Sequence, residues 1–220
     1  MNGKISVVIN TYNAQQHLEQ VLEAVKGFDE IVVCDMESTD QTLAIAQRYG
    51  CRTLTFERKA YSIVEPAREY AIHEAQHEWV LVVDADEIVT KELHDYLYQR
   101  ISEADCPDGL AIPRKNYFMG QFMRSHYPDY ILRFFRKDKT HWPPVIHCAP
   151  EVDGRVERID KHRKELAKKG KEMGILDQTW QVVSRQKWDE LAQSWVITTL
   201  KAPAEYISND LIDKWGLDSK

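Results

Sequence analysis

The chain has 220 residues, 43% hydrophobic and 29% charged, which is enough for one substantial core and ordinary for a globular fold. It has no run of eighteen apolar residues, and the first residues lead straight into a strand pattern, so neither a membrane-spanning helix nor a signal peptide is expected and the reading is cytoplasmic. The net charge of −6 is uneven, with 9 Lys/Arg against 20 Asp/Glu in residues 1–110 and 20 against 15 in residues 111–220, so the second half suits an anionic partner or membrane surface, unless its charges are simply solvated.

Residues 5–9 form a β-rich run that ends in the polar turn Asn10-Thr11-Tyr12-Asn13. Leu18, Val21, Leu22 and Val25 then recur at helical spacing, and Gly27 closes that helix. A second strand over 30–34 ends at Asp35, where Ser38 and Gln41 make a capping box for a helix over 42–49 that Gly50 stops. Residues 52–56 form a third strand, and Pro66 suits the first turn of a helix through Arg68, Ala71, Ile72 and Ala75. Five apolar residues, 79–83, predict a strand buried on both faces, and Thr90 caps a helix with Leu93, Tyr96, Leu97 and Ile101 inward. The alternation predicts an α/β fold, a mostly parallel central sheet flanked by helices.

From Gly109 the pattern changes to strands without long helices, over 110–114, 117–119, 130–136, 145–146 and 151–157, with Asp153-Gly154 as a hairpin turn. This half is expected to be mixed or antiparallel. Beyond 160 the reading is a helical extension: a basic segment over 162–171, an amphipathic helix from 188 to 199, and a last one from Pro203 through Trp215. Such helices pack on their own domain or rest on a membrane surface. The expected division is 1–160 as one domain, split into a first half 1–108 and a second half 109–160, with 161–220 as the extension.

Chemistry concentrates where the strand over 79–83 leaves the core, in Asp84, Asp86 and Glu87. Carboxylates there are costly unless something positive meets them. On an extended backbone residues i and i+2 point the same way, so Asp84 and Asp86 can face one point, and converging hard oxygens suit Mg²⁺ or Mn²⁺. The plain alternative is a solvated acidic turn. In a parallel sheet the segments 10–13, 35–40 and 84–86 share the carboxyl edge, where such sheets bind ligands. There is no Gly-x-Gly-x-x-Gly, no P-loop lysine motif and no C-x-x-C pair among Cys34, Cys51, Cys106 and Cys148, which disfavours dinucleotide, ATPase and zinc readings.

Four stretches, 5–13, 31–42, 66–68 and 83–87, resemble in order and spacing the family 2 glycosyltransferases of GT-A fold. Within that family the chain resembles the lipopolysaccharide core β-1,4-glucosyltransferase subgroup, and the resemblance covers residues 1–160. It implies inverting transfer of a hexose, expected to be glucose, from a UDP-linked donor to a hydroxyl of an anionic glycan or glycolipid. A peripheral contact with the inner membrane and no nucleic acid partner are expected. By position, Asn10, Tyr12 and Asn13 would line the nucleoside pocket and Asp35 would accept from uracil. Arg68 would meet a phosphate or hold Asp84, Asp84 would bind the ribose or the metal, and Asp86 the metal. His147 would add a metal ligand; the stretch after Val145 departs from relatives by placing Cys148 where they carry Glu. A general base is expected in the second half, from Asp129, Glu151 or Asp153, and Arg114, Lys115, Arg124, Arg133 and Arg136 would face the acceptor. The alternatives are a sugar-phosphate nucleotidylyltransferase, which would want a Gly-rich phosphate loop after the first strand, and a non-catalytic sugar-nucleotide-binding scaffold.

Overall fold

The computed structural model describes residues 3–58, 63–118, 121–123, 128–146, 148–159, 172 and 197–199. Its first half alternates strand and helix: β1 (Ile5–Thr11), α1 (Leu18–Val25), β2 (Glu30–Asp35), α2 (Thr42–Arg48), β3 (Arg52–Thr55), α3 (Glu65–Glu74) and β4 (Trp79–Asp84). The four strands are parallel, in the order β3-β2-β1-β4. β5 (Glu87–Val89), α4 (Lys91–Ser102), β6 (Gly109–Lys115), β7 (Tyr117–Phe118), β8 (Gln121–Phe122) and β9 (Asp129–Arg136) follow. β10 (Thr140–His141), β11 (Glu151–Val152), β12 (Val156–Arg158) and β13 (Ile197–Thr199) complete the set. The large sheet continues through β9, β6, β13 and β5, with β12 beside β6, so its second half is mixed as expected.

Strand parity builds two cores. Ile5, Val7 and Ile9 of β1 and Trp79, Leu81 and Val83 of β4 pack with α1 residues Leu18, Val21, Leu22 and Val25 and α4 residues Leu93 and Leu97. Val8, Val80 and Val82 point the other way, onto Ala67, Ala71 and Ile72 of α3, together with Phe135 and Trp142. Each fully buried Val, Leu or Ile contributes about 2 kcal/mol, so β1 and β4, wetted on neither face, are the most strongly held part of the sheet.

Caps match the sequence in part. The Thr90 side chain accepts from Leu93 N at 3.2 Å and starts α4, and Gly50 ends the α2 turn at φ +69, a conformation open to glycine. Ser38, expected to cap α2, instead bonds Asp35 and Asn13, while the Asp40 carboxylate accepts from Thr42 N at 2.9 Å. An Asx turn two residues nearer the helix outcompetes the serine.

Three expectations in the second half are corrected. Asp153-Gly154 makes no hairpin: β11 pairs with β10, and β12 runs parallel to β6. Val145 and Ile146 are exposed by 56% and 58% in a turn, because Pro143 and Pro144 just before them cannot donate to a ladder. The helix expected over 188–199 ends as strand, since β13 pairs with β6 and β5; Ile197, Thr198 and Thr199 are β-branched and favour a sheet. Residues 162–171, 188–196 and 203–215 lie outside the described residues. Among the described residues no helix is long and apolar enough to cross a membrane.

Candidate active site

Register decides what meets at the carboxyl edge. Asn10 pairs with Asp84 across β1 and β4, and Thr11 with Asp35 across β1 and β2. Asp84 has the parity of Val80 and Val82, so it points to the α3 face. α3 presents Arg68 to that face, and β9, antiparallel to β4, presents Arg133, which shares parity with Phe135.

Both guanidiniums bind one carboxylate. Arg68 donates to Asp84 Oδ1, and Arg133 Nη2 donates to Oδ2 at 2.6 Å. Behind them Glu87, only 1% exposed, accepts from Asp84 N at 3.0 Å and lies 3.6 Å from Arg114 and 3.9 Å from Arg133. Burial, reinforced by the Asp84 charge, raises the Glu87 carboxyl above its ordinary value. Burial also depresses Arg68 more than Asp84 restores it. For Arg133 the burial penalty is outweighed by Asp84 and Glu87, and its pKa rises. Two buried arginines facing two acids make this a compensated cluster, which a bare acidic turn would not be.

The cluster floors a cleft of about 770 Å³, lined by Asn10, Tyr12, Arg58, Glu65, Arg68, Asp84, Arg114, Arg133, Trp142 and Cys148 among others. Tyr12 stands 46% exposed, with the Arg58 guanidinium 3.9 Å above its ring. Trp142 is buried at 3% exposure, between Arg68 at 5.0 Å and Arg133 at 5.8 Å from its ring centroid.

Two expected ligand residues are occupied by the fold. Asp35 is fully buried and accepts from Thr11 Oγ1 at 2.8 Å, Ser38 N at 2.8 Å and Ser38 Oγ at 2.6 Å. Asn13, at φ 48, ties its loop to the next through Ser38 Oγ and Thr39 N, both at 2.8 Å. Both residues shape the rim rather than line the cleft. Asp86 sits in the turn after β4, half-buried, so the extended-backbone argument that aimed it alongside Asp84 does not hold.

The remaining expected residues separate. Arg114 and Arg133 line the cleft, whereas Lys115 is buried against the Tyr117 ring at 5.3 Å. Arg136 lies at the opposite edge, in register with Trp79, where it pairs with Glu78 and approaches Asp108 at 3.6 Å. An eight-residue strand spans the whole sheet, so its two ends cannot share a site. Asp129 sits beside the cleft, its Oδ2 accepting from Arg114 at 2.8 and 3.0 Å and from Asn116 at 2.9 Å. Glu151 pairs with His141 in the β10–β11 ribbon and lines a separate hollow with Asp153. Arg124 and His147 lie outside the described residues. Sequence reasoning missed Trp142, Glu65 and Arg58. The aromatic before Pro143-Pro144 was the available signal, since tryptophan is highly buried on average.

The Glycosyl transferase family 2 model matches residues 6–186. An uncharacterized glycosyltransferase of Rickettsia bellii is 36% identical over 96 residues, 43% of this chain and 32% of that protein. The lipopolysaccharide core biosynthesis glycosyltransferase LpsC of Rhizobium meliloti is 26% identical over 145 residues, 63% of this chain and 53% of that one. The chain thus matches about a third of the rickettsial relative's length and about half of LpsC's. In fold, the crystal structure of S. aureus TarS 1–349 aligns with 99% of this chain and 75% of its own at a TM-score of 0.54 and 18% identity. A match that spans the parallel sheet, the acidic turn and the cleft wall alike admits one conclusion: the chain belongs to glycosyl transferase family 2.

Proposed function

We propose that the chain is an inverting, metal-dependent hexosyltransferase that moves glucose from UDP-glucose to a hydroxyl of a lipopolysaccharide core or related glycan. The observation that carries the reading is the cleft itself. It joins an exposed aromatic at one end, Tyr12, to a cationic floor held by Asp84 at the other. Tyr12 offers a flat face to a base, and Arg68 and Arg133 offer charge to the phosphates that follow it. The core-biosynthesis name of LpsC supports the acceptor class.

The donor set admits a hard cation in a limited way. Among the described residues no three His, Cys, Asp or Glu side chains could hold one together. Mg²⁺ in phosphate chemistry, however, takes only one or two carboxylates, with substrate oxygens supplying the rest. Asp86 is the carboxylate for that role, because both oxygens of Asp84 already accept from arginine. When bound, the cation would neutralise charge on the departing diphosphate. For the base, Asp129 lies beside cleft residues Arg114 and Tyr130, within reach of an acceptor hydroxyl entering there, and Glu151 does not. Of the expected acceptor contacts the cleft keeps Arg114 on that side, while Arg133, expected there too, is held on Asp84 and serves the phosphates instead.

Incubating the chain with UDP-, GDP- and CMP-sugars, with and without Mn²⁺ or Mg²⁺, and following nucleotide release tests the reading. Metal-stimulated release from UDP-glucose is expected; undiminished turnover in excess chelator, or in Asp86→Ala, would sink metal dependence. Asp129→Asn is expected to slow transfer by roughly 10²–10⁴-fold while UDP affinity stays put.

A further inference from the structure

A second hollow, of about 500 Å³, lies beside the cleft and shares Arg114 and Tyr130 with it. Strand direction explains what reaches it. β4 and β6 both run antiparallel to β9, and β12 runs parallel to β6, so β12 points towards the edge where the cleft lies. Arg158 ends β12 in register with Ala111, and Ile159 N donates to Ala111 O at 3.1 Å just beyond it. The strand thereby brings Arg158 to the hollow, over the Tyr130 ring at 5.3 Å from its centroid.

The charges there do not cancel. Asp129 Oδ2 accepts from Arg114 at 2.8 and 3.0 Å and from Asn116 at 2.9 Å, and Arg114 also lies 3.6 Å from Glu87. Arg114 is therefore engaged by acids of the fold. Arg158 is exposed and meets no carboxylate among the described residues. Its neighbour Glu157 does not serve it, pairing with Arg155 at 3.0 Å and approaching Arg100 at 3.7 Å. Two cations against one carboxylate leave the hollow positive.

A guanidinium over an aromatic face still presents its planar fork of N–H donors, which matches an oxyanion with two bonds at once. A neutral hydroxyl would gain a single ordinary hydrogen bond at the same place. We propose that Arg158, set over Tyr130, seats an oxyanion carried by the acceptor, a phosphate or a carboxylate on the glycan, and so selects charged acceptors over neutral ones. The inference rests on the hexosyltransferase reading and deepens it by naming what the acceptor carries. Arg158 is a specificity-determining residue in this arrangement: it holds a substituent away from the hydroxyl that reacts.

The arginine Nε–H signals of the ¹⁵N-labelled 220-residue chain test this, with Arg158→Gln identifying the relevant peak by its loss. Glucose 6-phosphate, glucuronic acid and glucose serve as probes. Either acid is expected to move the Arg158 peak, and glucose to leave it in place; which acid is the more effective tells phosphate from carboxylate. Arg158→Gln is expected to weaken binding of that acid about tenfold, and Arg158→Lys, which keeps the charge but loses the fork, to recover only part of it. A peak that ignores both acids, or that moves no more than those of other exposed arginines, overturns the seat. So does a response to glucose equal to that to the acids, or undiminished affinity in Arg158→Gln. If the seat fails while the parent chain releases UDP from UDP-glucose, the hexosyltransferase reading survives without it. If the parent neither binds UDP nor releases it, both fall.

Discussion

Asp84 and Asp86 stand two positions apart and do different work. Asp84 is locked between Arg68 and Arg133, and removing its charge leaves two mostly buried cations without their nearest counter-charge, with Glu87 no closer than 3.9 Å to Arg133. Asp84→Asn is therefore expected to lower stability by about 3 kcal/mol, read from urea unfolding. Asp86 lies half-buried outside the strand, and Asp86→Ala is expected to shift stability by no more than about 0.5 kcal/mol while reducing transfer roughly hundredfold. The spacing alone presents the two as equals, because the alternation of a strand is assumed to continue through both. The chain turns at residues 85 and 86 instead, and nothing in an Asp-Ala-Asp-Glu run announces where extension stops. Asp35 differs in the opposite way. A carboxylate at a strand end reads as a ligand, and this one is buried and accepts from Thr11 Oγ1 of β1 and from the N–H and hydroxyl of Ser38 in its own loop.

Among the elements, α3 and the short β10 segment form the cleft wall, and one side chain fastens them. Glu69 of α3 accepts from Trp142 N at 2.7 Å and His141 Nδ1 at 2.9 Å, and also meets His73 at 3.0 Å. Burial works against its charge, but these donors outweigh burial and hold the carboxyl below its ordinary value. A depressed acid adds stability that is complete above its unfolded pKa, near 4.5, and that drains away as pH falls through the lower folded one. Glu69→Gln is accordingly expected to flatten the acid limb of a thermal midpoint-against-pH curve and to loosen Trp142. At the sheet, Phe134 stacks on Trp79 with centroids 5.1 Å apart, and Phe134→Ala is expected to cost about 3–5 kcal/mol in chemical denaturation. The first hundred residues were legible because each buried strand alternates with a helix of plain period, and all four helices appear where the pattern puts them. The second half was not. Its short strands find partners far along the chain, as β12 does beside β6, and local periodicity carries no record of such pairings.

For the molecule as a whole, a donor that bridges Tyr12, α3 and β9 binds only the assembled sheet, so it should stabilise every part together. UDP at a hundred times its dissociation constant is expected to add about 2.7 kcal/mol, seen as a single upward shift of the melting curve. The large sheet also takes in residues 197–199, beyond the boundary expected near residue 160. β5, which begins with Glu87, has β13 as its only strand neighbour among the described residues of that sheet: Val89 pairs with Ile197 and Glu87 with Thr199. The acidic turn is thus anchored on one side by residues translated long after it. A chain emerging from the ribosome can lay down β1 to β4 early, but it cannot close the floor of its cleft until position 199 has cleared the exit tunnel. The nucleotide binding proposed for that cleft therefore depends on β13 as well as on β1 to β4.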